Sequence, residues 1–181
     1  MGRGINQPRT NGVDAGVATP TLREFEQSLP MQLLKAREAA MARFRPMLRE
    51  HDLTEQQWRV LRVLAAWPGS DASAIARRSL LLVPSLSRIL HDLVDRQLVV
   101  RRTPSGDQRR AELALTARGA ALFAEVAPDS ERLYREIAAA FGEARLEQLY
   151  ELLTAFIAAM GDHTPRGKKS PGLAGTNGGG G

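Results

Sequence analysis

A chain of 181 residues, 43% hydrophobic and 25% charged, is ordinary globular material, long enough to bury a sizeable core as one domain. Its net charge of +5 and pI near 10.4 rest almost wholly on arginine, since Lys35, Lys168 and Lys169 are the only lysines; a basic balance suits an anionic partner, although arginine bias also follows genome composition. The absence of cysteine excludes disulfides, thiolate zinc sites and cysteine-based redox sensing.

Residues 1–27 open with a Gly-, Asn-, Thr- and Pro-rich stretch that has no apolar period, and they read as a disordered arm. The arm lacks the apolar core of a signal peptide, so the protein is expected in the cytoplasm. Ser28 is placed to cap a first helix, and Pro30 is tolerated in its first turn. Leu33, Leu34, Met41, Phe44 and Leu48 form the apolar stripe of that helix, and Pro46 is expected to kink or end it. Arg37 falls inside the stripe, where a buried guanidinium needs a partner. It reads either as an ion pair to an acid across a dimer interface or as a clamp for an anionic ligand. His51 and Asp52 occupy the link to a second helix, which Thr54 and Gln57 open as a capping-box pair. Trp58, Leu61 and Leu64 give that helix its inward face, and Pro68-Gly69 stops it. Trp58 is simple core or, with Arg37 and His51 nearby, the wall of an aromatic pocket.

From Ser70 to Thr116 the pattern is helix, turn, helix and two short strands joined by a charged loop. In the second of these helices Leu86, Ile89, Leu90, Leu93 and Val94 recur with helical spacing and form one buried stripe. The opposite face carries Pro84, Ser85, Ser87, Arg88 and His91, a set of short donors and an arginine that suits a DNA major groove. The run VVRRTP, the turn Ser105-Gly106-Asp107 and the returning AELALT form a wing with Asp107, Arg109 and Arg110 at its tip. A single short strand near Ser70 is usual beside such a wing. Thr116 then caps a long helix carrying Leu122, Phe123, Val126, Leu133, Ile137 and Phe141; Pro128 is expected to interrupt or bend it, and Gly142 to break it. The last helix carries Leu146, Leu149, Tyr150, Leu153, Phe156, Ile157 and Met160. Terminal helices this apolar point to a helical dimer interface; the alternative is a monomer that folds them into its own core. Residues 161–181 are low-complexity and expected to be disordered, and no segment reaches membrane-spanning length.

The run D-Q-R-R-A-E-L-A-L-T-A-R-G, Asp107 to Gly119, resembles the wing signature of MarR-type regulators, and P-S-L-S-R-I-L resembles their recognition helix. With the flanking helices the resemblance covers roughly Leu29 to Met160. QLLKAREAAMARFRP followed by LTEQQWRVLRVLA is most similar to the subgroup that regulates homoprotocatechuate and related aromatic-acid catabolism. The chain departs from the common pattern at Leu80, where a turn glycine is usual, at Leu82, where a Ser or Thr cap is usual, and at Gln97. Gln97 replaces a glycine and incurs a left-handed-conformation penalty if it keeps the usual backbone.

An enzyme is poorly supported. His51, His91 and His163 are far apart and lack metal-ligand spacing, and there is no phosphate-cradling loop, nucleophile elbow or cysteine nucleophile, so no catalytic residue, metal or cofactor is assigned. The expected fold is mainly α with a small β-wing, a winged helix-turn-helix dimerising through its N- and C-terminal helices. Its domain runs over 28–160, with the DNA-binding part at 54–116 and dimerisation helices at 28–50 and 117–160. The expected DNA contacts are Ser85, Ser87, Arg88, His91, Asp107, Arg109 and Arg110, and the expected effector contacts are Arg37, His51 and Trp58. The resemblance implies a homodimeric repressor released from a palindromic double-stranded operator by a small aromatic carboxylate of the hydroxyphenylacetate, homoprotocatechuate or hydroxynicotinate class. The competing reading is a winged-helix protein-interaction or activator module without an effector. The six arginines against three acids between Val83 and Arg110 weigh against protein as the ligand of the wing.

Overall fold

Capping and stop signals set the helix limits in the computed structural model, which describes residues 24–102 and 111–161. A short 3-10 turn, Phe25–Gln27, leads into α1 (Leu29–Glu50); then come α2 (Glu55–Ala66), α3 (Ala72–Ser79), α4 (Val83–Asp95), β1 (Val99–Arg102), β2 (Glu112–Leu115), α5 (Ala117–Phe141) and α6 (Glu143–Met160). The chain divides into two compact units, 1–37 and 38–181, and α1 runs from one into the other.

In the first unit the Ser28 carbonyl accepts the first helical bond from the Gln32 amide, while its hydroxyl donates to the Phe25 carbonyl. Leu33, Leu34 and Arg37 are exposed, so the start of the expected apolar stripe is not buried within the chain.

The second unit holds the core. Phe44, Met47 and Leu48 of α1 pack with Trp58, Val60, Leu61 and Leu64 of α2, Ile75 of α3, Leu86 and Leu93 of α4 and Val126 of α5. Ile89 and Leu90 pack partly buried against this core, while Val94, expected on the same stripe, is exposed. Of the alternatives expected at the two prolines, an ending and an interruption are absent: α1 continues four residues past Pro46, and α5 runs on through Pro128. Each proline costs one backbone bond within a helix of 22 or 25 residues, and the remaining bonds together with the packed core hold the helix through it. Gly142, at φ +99°, does separate α5 from α6.

The capping expectations at Thr54/Gln57 and Thr116 hold, whereas at Ser28 the hydroxyl donates back to the Phe25 carbonyl and only its carbonyl serves the helix. The Thr54 hydroxyl accepts from the Gln57 amide at 3.2 Å, and the Gln57 side chain accepts from the Thr54 amide at 2.8 Å. The Thr116 hydroxyl likewise accepts from the Gly119 amide at 2.9 Å. β1 and β2 pair antiparallel, with Val99 opposite Leu115 and Arg102 opposite Glu112, and Ser70 adds a single bridge to Leu113 where a short third strand is usual.

Three helices end alike. Asp52, Leu80 and Gln97 stand at φ +53°, +52° and +57° just beyond α1, α3 and α4. After each, a leucine amide reaches back five residues: Leu53 to the Leu48 carbonyl, Leu81 to Ala76 and Leu98 to Leu93. The left-handed residue itself bonds three residues back, Asp52 to Arg49, Leu80 to Arg77 and Gln97 to Val94. These are Schellman endings, and in each the following leucine is buried. Leu80 and Gln97 therefore keep the backbone for which glycine is usual, and the strain of a left-handed non-glycine residue is borne by the buried leucine that follows.

Gln97 and Leu98 also seat α5. The Thr116 amide donates to the Leu98 carbonyl at 3.1 Å, and the Thr116 hydroxyl donates to the Gln97 carbonyl at 2.6 Å. A Cβ on Gly119 would stand 2.0 Å from that Leu98 carbonyl oxygen. Only glycine fits, which gives the Leu-Thr-x-x-Gly run its physical meaning. Gly119→Ala is expected to destabilise the fold by about 3 kcal/mol or more, as backbone-level overpacking does, whereas Gln97→Gly should stabilise it by about 0.5–1 kcal/mol by relieving the left-handed penalty. Urea unfolding followed by circular dichroism checks both signs, and a Gly119→Ala protein as stable as wild type contradicts the seating of α5.

Candidate nucleic-acid interface and effector cleft

Helix α4 is built to present one face. Leu86 and Leu93 are fully buried, which turns Ser87, Arg88 and His91 outward as exposed side chains, with Ser85 half-buried at their start. No described residue pairs with Arg88, and His91 Nε2 lies 3.4 Å from Asp95 Oδ2 one turn on. Asp92 is turned toward other partners: the Gln57 amide nitrogen donates to its Oδ2 at 2.7 Å, and Arg96 Nη1 lies 3.7 Å away. The first turn of α4 carries no acid, and Pro84 sits within it.

The wing stands beside this face. A cleft of about 380 Å³ between α4 and the hairpin is lined by Ser87, Leu90, His91, Arg101 and Leu113 among others. Arg101 and Arg102 of β1 are exposed, and Arg101 lines the cleft with Ser87 and His91, so the root of the wing adds a cation there. Sequence reasoning counted these arginines without placing them; the alternation of β1, with Val99 buried, is the signal that locates Arg101. Asp107, Arg109 and Arg110 lie outside the described residues.

The expected effector residues are distributed as follows. Trp58 is buried and stacks on Phe123 of α5, with centroids 5.2 Å apart and planes at 27°. His51 is half-buried, with Nδ1 3.3 Å from Glu125 Oε1. Both belong to the second compact unit, whereas Arg37 belongs to the first, where it is exposed.

Two residues not anticipated from the sequence join α2 to α5. Arg62, one helical turn further along α2, donates from Nη1 to the Tyr134 hydroxyl at 3.0 Å, and Tyr134 in turn packs on Phe44 with centroids 5.0 Å apart. Arg62 and Phe123 also line a cleft of about 530 Å³ with Arg59, Arg78 and Trp67. In that cleft Arg59 donates to the Ser79 carbonyl at 2.8 Å, and the Arg78 guanidinium lies 4.1 Å from the Trp67 ring centroid. The i, i+4 spacing of Trp58 and Arg62 was the available sequence signal, since it puts a ring and a cation on one helix face.

A third charged cluster closes the α1–α2 corner. Arg45 bonds both Glu38 and Glu55, and these two carboxylates hold its guanidinium pKa above the usual arginine range. Among the described residues no group of three or more His, Asp or Glu side chains is placed to hold a metal ion, and no helix is long and apolar enough to cross a membrane.

Comparison with known proteins agrees with this geometry. The MarR family model matches residues 51–111. The homoprotocatechuate degradative operon repressor of Escherichia coli is 45% identical over 134 residues, covering 74% of this chain and 90% of that protein. The structure of NadR in complex with 4-hydroxyphenylacetate superposes with a TM-score of 0.65 at 38% identity, covering 76% of this chain and 97% of that one. The repressor CouR bound to a 23-mer DNA duplex superposes at 0.67 with 27% identity, covering 75% and 98%. With α4 as recognition helix and the β1–β2 hairpin as wing, this chain belongs to the MarR family of winged helix-turn-helix, DNA-binding transcriptional regulators.

Proposed function

We propose that the protein is a homodimeric repressor which leaves a palindromic operator when a small hydroxylated aromatic carboxylate binds, and which thereby controls genes for catabolism of that acid. The observation that carries the DNA-binding part is the outward face of α4, Ser85, Ser87, Arg88 and His91, flanked by Arg101 at the wing root. Arg88 serves as the base-reading or phosphate-clamping cation, and Arg109, with Asp107 pairing its guanidinium, extends the contact into the adjacent minor groove, Arg110 beside it adding a further DNA contact. The relatives named for repression of a degradative operon and for a bound duplex support the same reading. Operator binding should weaken as salt rises. Arg88→Ala should lose about 1–3 kcal/mol and relax preference at one position in each half-site, and Arg109→Ala should lose a similar amount with the fold intact. Electrophoretic retardation across a panel of operator variants measures this; a folded Arg88→Ala protein with wild-type affinity and preference contradicts the assignment.

The dimer is proposed from what a single chain leaves uncovered. Leu29, Leu33 and Leu34 at the start of α1 are exposed, and no residue of α6 is buried, so Leu149, Tyr150, Phe156, Ile157 and Met160 remain in solvent. A second copy covers both helices in a domain spanning 28–160, with arms 1–27 and 161–181 on either side. Sedimentation should give a dimer, and a stable monomer at micromolar concentration overturns the arrangement.

The effector is proposed to bind at Trp58, its ring entering beside the Trp58–Phe123 stack, with His51 bonding a ring hydroxyl. Its carboxylate is proposed to meet Arg62, which shares a helix face with Trp58 and already meets the Tyr134 hydroxyl, with Arg37 kept as the second arginine to be tested. The 4-hydroxyphenylacetate held by NadR supports this ligand class. Calorimetry with 4-hydroxyphenylacetate and homoprotocatechuate should show binding to wild type and a loss of about tenfold or more in Arg62→Met, the scale of one charge-assisted hydrogen bond. Arg37→Met reports whether the α1 arginine shares the carboxylate. Equal binding by all three proteins removes both arginines from the site.

A further inference from the structure

We propose that Leu82 and Val83, at the start of α4, read thymine methyl groups in the operator and so contribute sequence preference that the polar face of α4 does not supply. The inference rests on the DNA-binding reading above and adds the base chemistry that this part of the recognition helix selects.

Leu82 is 61% exposed and Val83 57%, a contiguous apolar surface at the cap and first residue of α4, while Leu81 beside them is buried. Leu82 occupies the N-cap position and makes no side-chain cap bond, as expected of a residue with no polar atom to offer. The position thus forgoes the cap of a Ser or Thr and keeps an apolar side chain in solvent. Val83 lies in one helical row with Ser87 and His91, at i, i+4 and i+8, so it belongs to the same outward face as the polar contacts.

Charge on α4 favours DNA as the occupant. Its first turn has no acid, Arg88 follows one turn later, and Asp92 and Asp95 stand at the far end, with Asp92 engaged by Gln57 and Arg96. The end carrying Leu82 and Val83 therefore approaches a polyanion without like-charge repulsion. A recognition helix meets base edges with its N-terminal residues. In the major groove the one apolar group on any base edge is the C5 methyl of thymine. A branched aliphatic pair at that end matches this methyl and has no hydrogen-bonding means of recognising another base.

The test uses the full-length protein and duplexes selected by it from a random-sequence pool. Each thymine of the selected half-site is replaced in turn by uracil, which removes the methyl and leaves base pairing intact, and affinity is read by fluorescence anisotropy. At one or two positions per half-site uracil should weaken wild-type binding about fourfold, the scale of burying one methyl, and about fifteenfold when both half-sites are changed. The Leu82→Ala, Val83→Ala double variant should still bind the selected duplex, with uracil and thymine equivalent at those positions. Because both side chains are exposed, the variant should keep the wild-type circular dichroism spectrum, and the uracil series on wild type stands without it. A selected duplex bound equally well with uracil at every position, or methyl sensitivity that persists in the double variant, overturns the inference while DNA binding itself stands. Failure to select any duplex overturns the DNA-binding reading and the inference with it.

Discussion

The Leu98 carbonyl is the point on which the rest of the second unit turns. Its own residue closes α4, because the Leu98 amide reaches the Leu93 carbonyl, and its buried side chain anchors that ending in the core. The same residue precedes β1, and its carbonyl accepts the Thr116 amide that starts α5. Gly119 lets α5 lie against that oxygen, which a methyl group there would displace. Recognition helix, wing and the long helix that follows are thus fixed to one another through two consecutive residues, Gln97 and Leu98. The strained φ at Gln97 is the local cost of so sharp a turn, and the Thr116 hydroxyl bonded to its carbonyl helps to hold it.

Most of this was legible in the sequence because its signals are local. The Thr54/Gln57 pair, Thr116, Pro68-Gly69 and Gly142 act within one helical turn, and each behaves as its chemistry dictates. The apolar spacing of α4 located its outward face for the same reason. What was misread depends on tertiary balance. A proline inside a helix forfeits one bond, and nothing near Pro46 or Pro128 tells how many packed turns outweigh that loss. The apolar spacing of α1 is continuous from Leu33 to Leu48, yet Phe44 and Leu48 are buried while Leu33 and Leu34 are not, since periodicity defines a face without saying what covers it.

The proposed effector site shows a different limit. Trp58 was singled out for its chemistry, and its burial and stacking on Phe123 bear out the reading as a core residue. Arg62 escaped notice because an arginine on an amphipathic helix ordinarily marks a solvated face. Its bond to Tyr134, 72 residues away in sequence, is visible only once α2 and α5 are packed. Arg101 escaped for a related reason: its place beside Ser87 and His91 depends on how the hairpin leans on α4.

These packing ties also constrain how a ligand near Trp58 can alter DNA binding. Helix α2 is joined to α5 by the Trp58–Phe123 stack and the Arg62–Tyr134 bond, and to α4 by the Gln57–Asp92 bond. Gln57 completes the cap of α2 with one end of its amide and holds Asp92 with the other, so a shift in the first turn of α2 is felt directly on the recognition helix. An acid that recruits Arg62 competes with Tyr134 for the same guanidinium and so perturbs the link to α5. Such a ligand shifts the spacing of two recognition helices only by the difference in its affinity for the two arrangements. A hundredfold release of DNA therefore requires about 2.7 kcal/mol of differential binding, an amount that one charge-assisted hydrogen bond made in a single arrangement can supply. The proposed switch is thus energetically within reach of the Arg62–Tyr134 pair, without any larger rearrangement of the core.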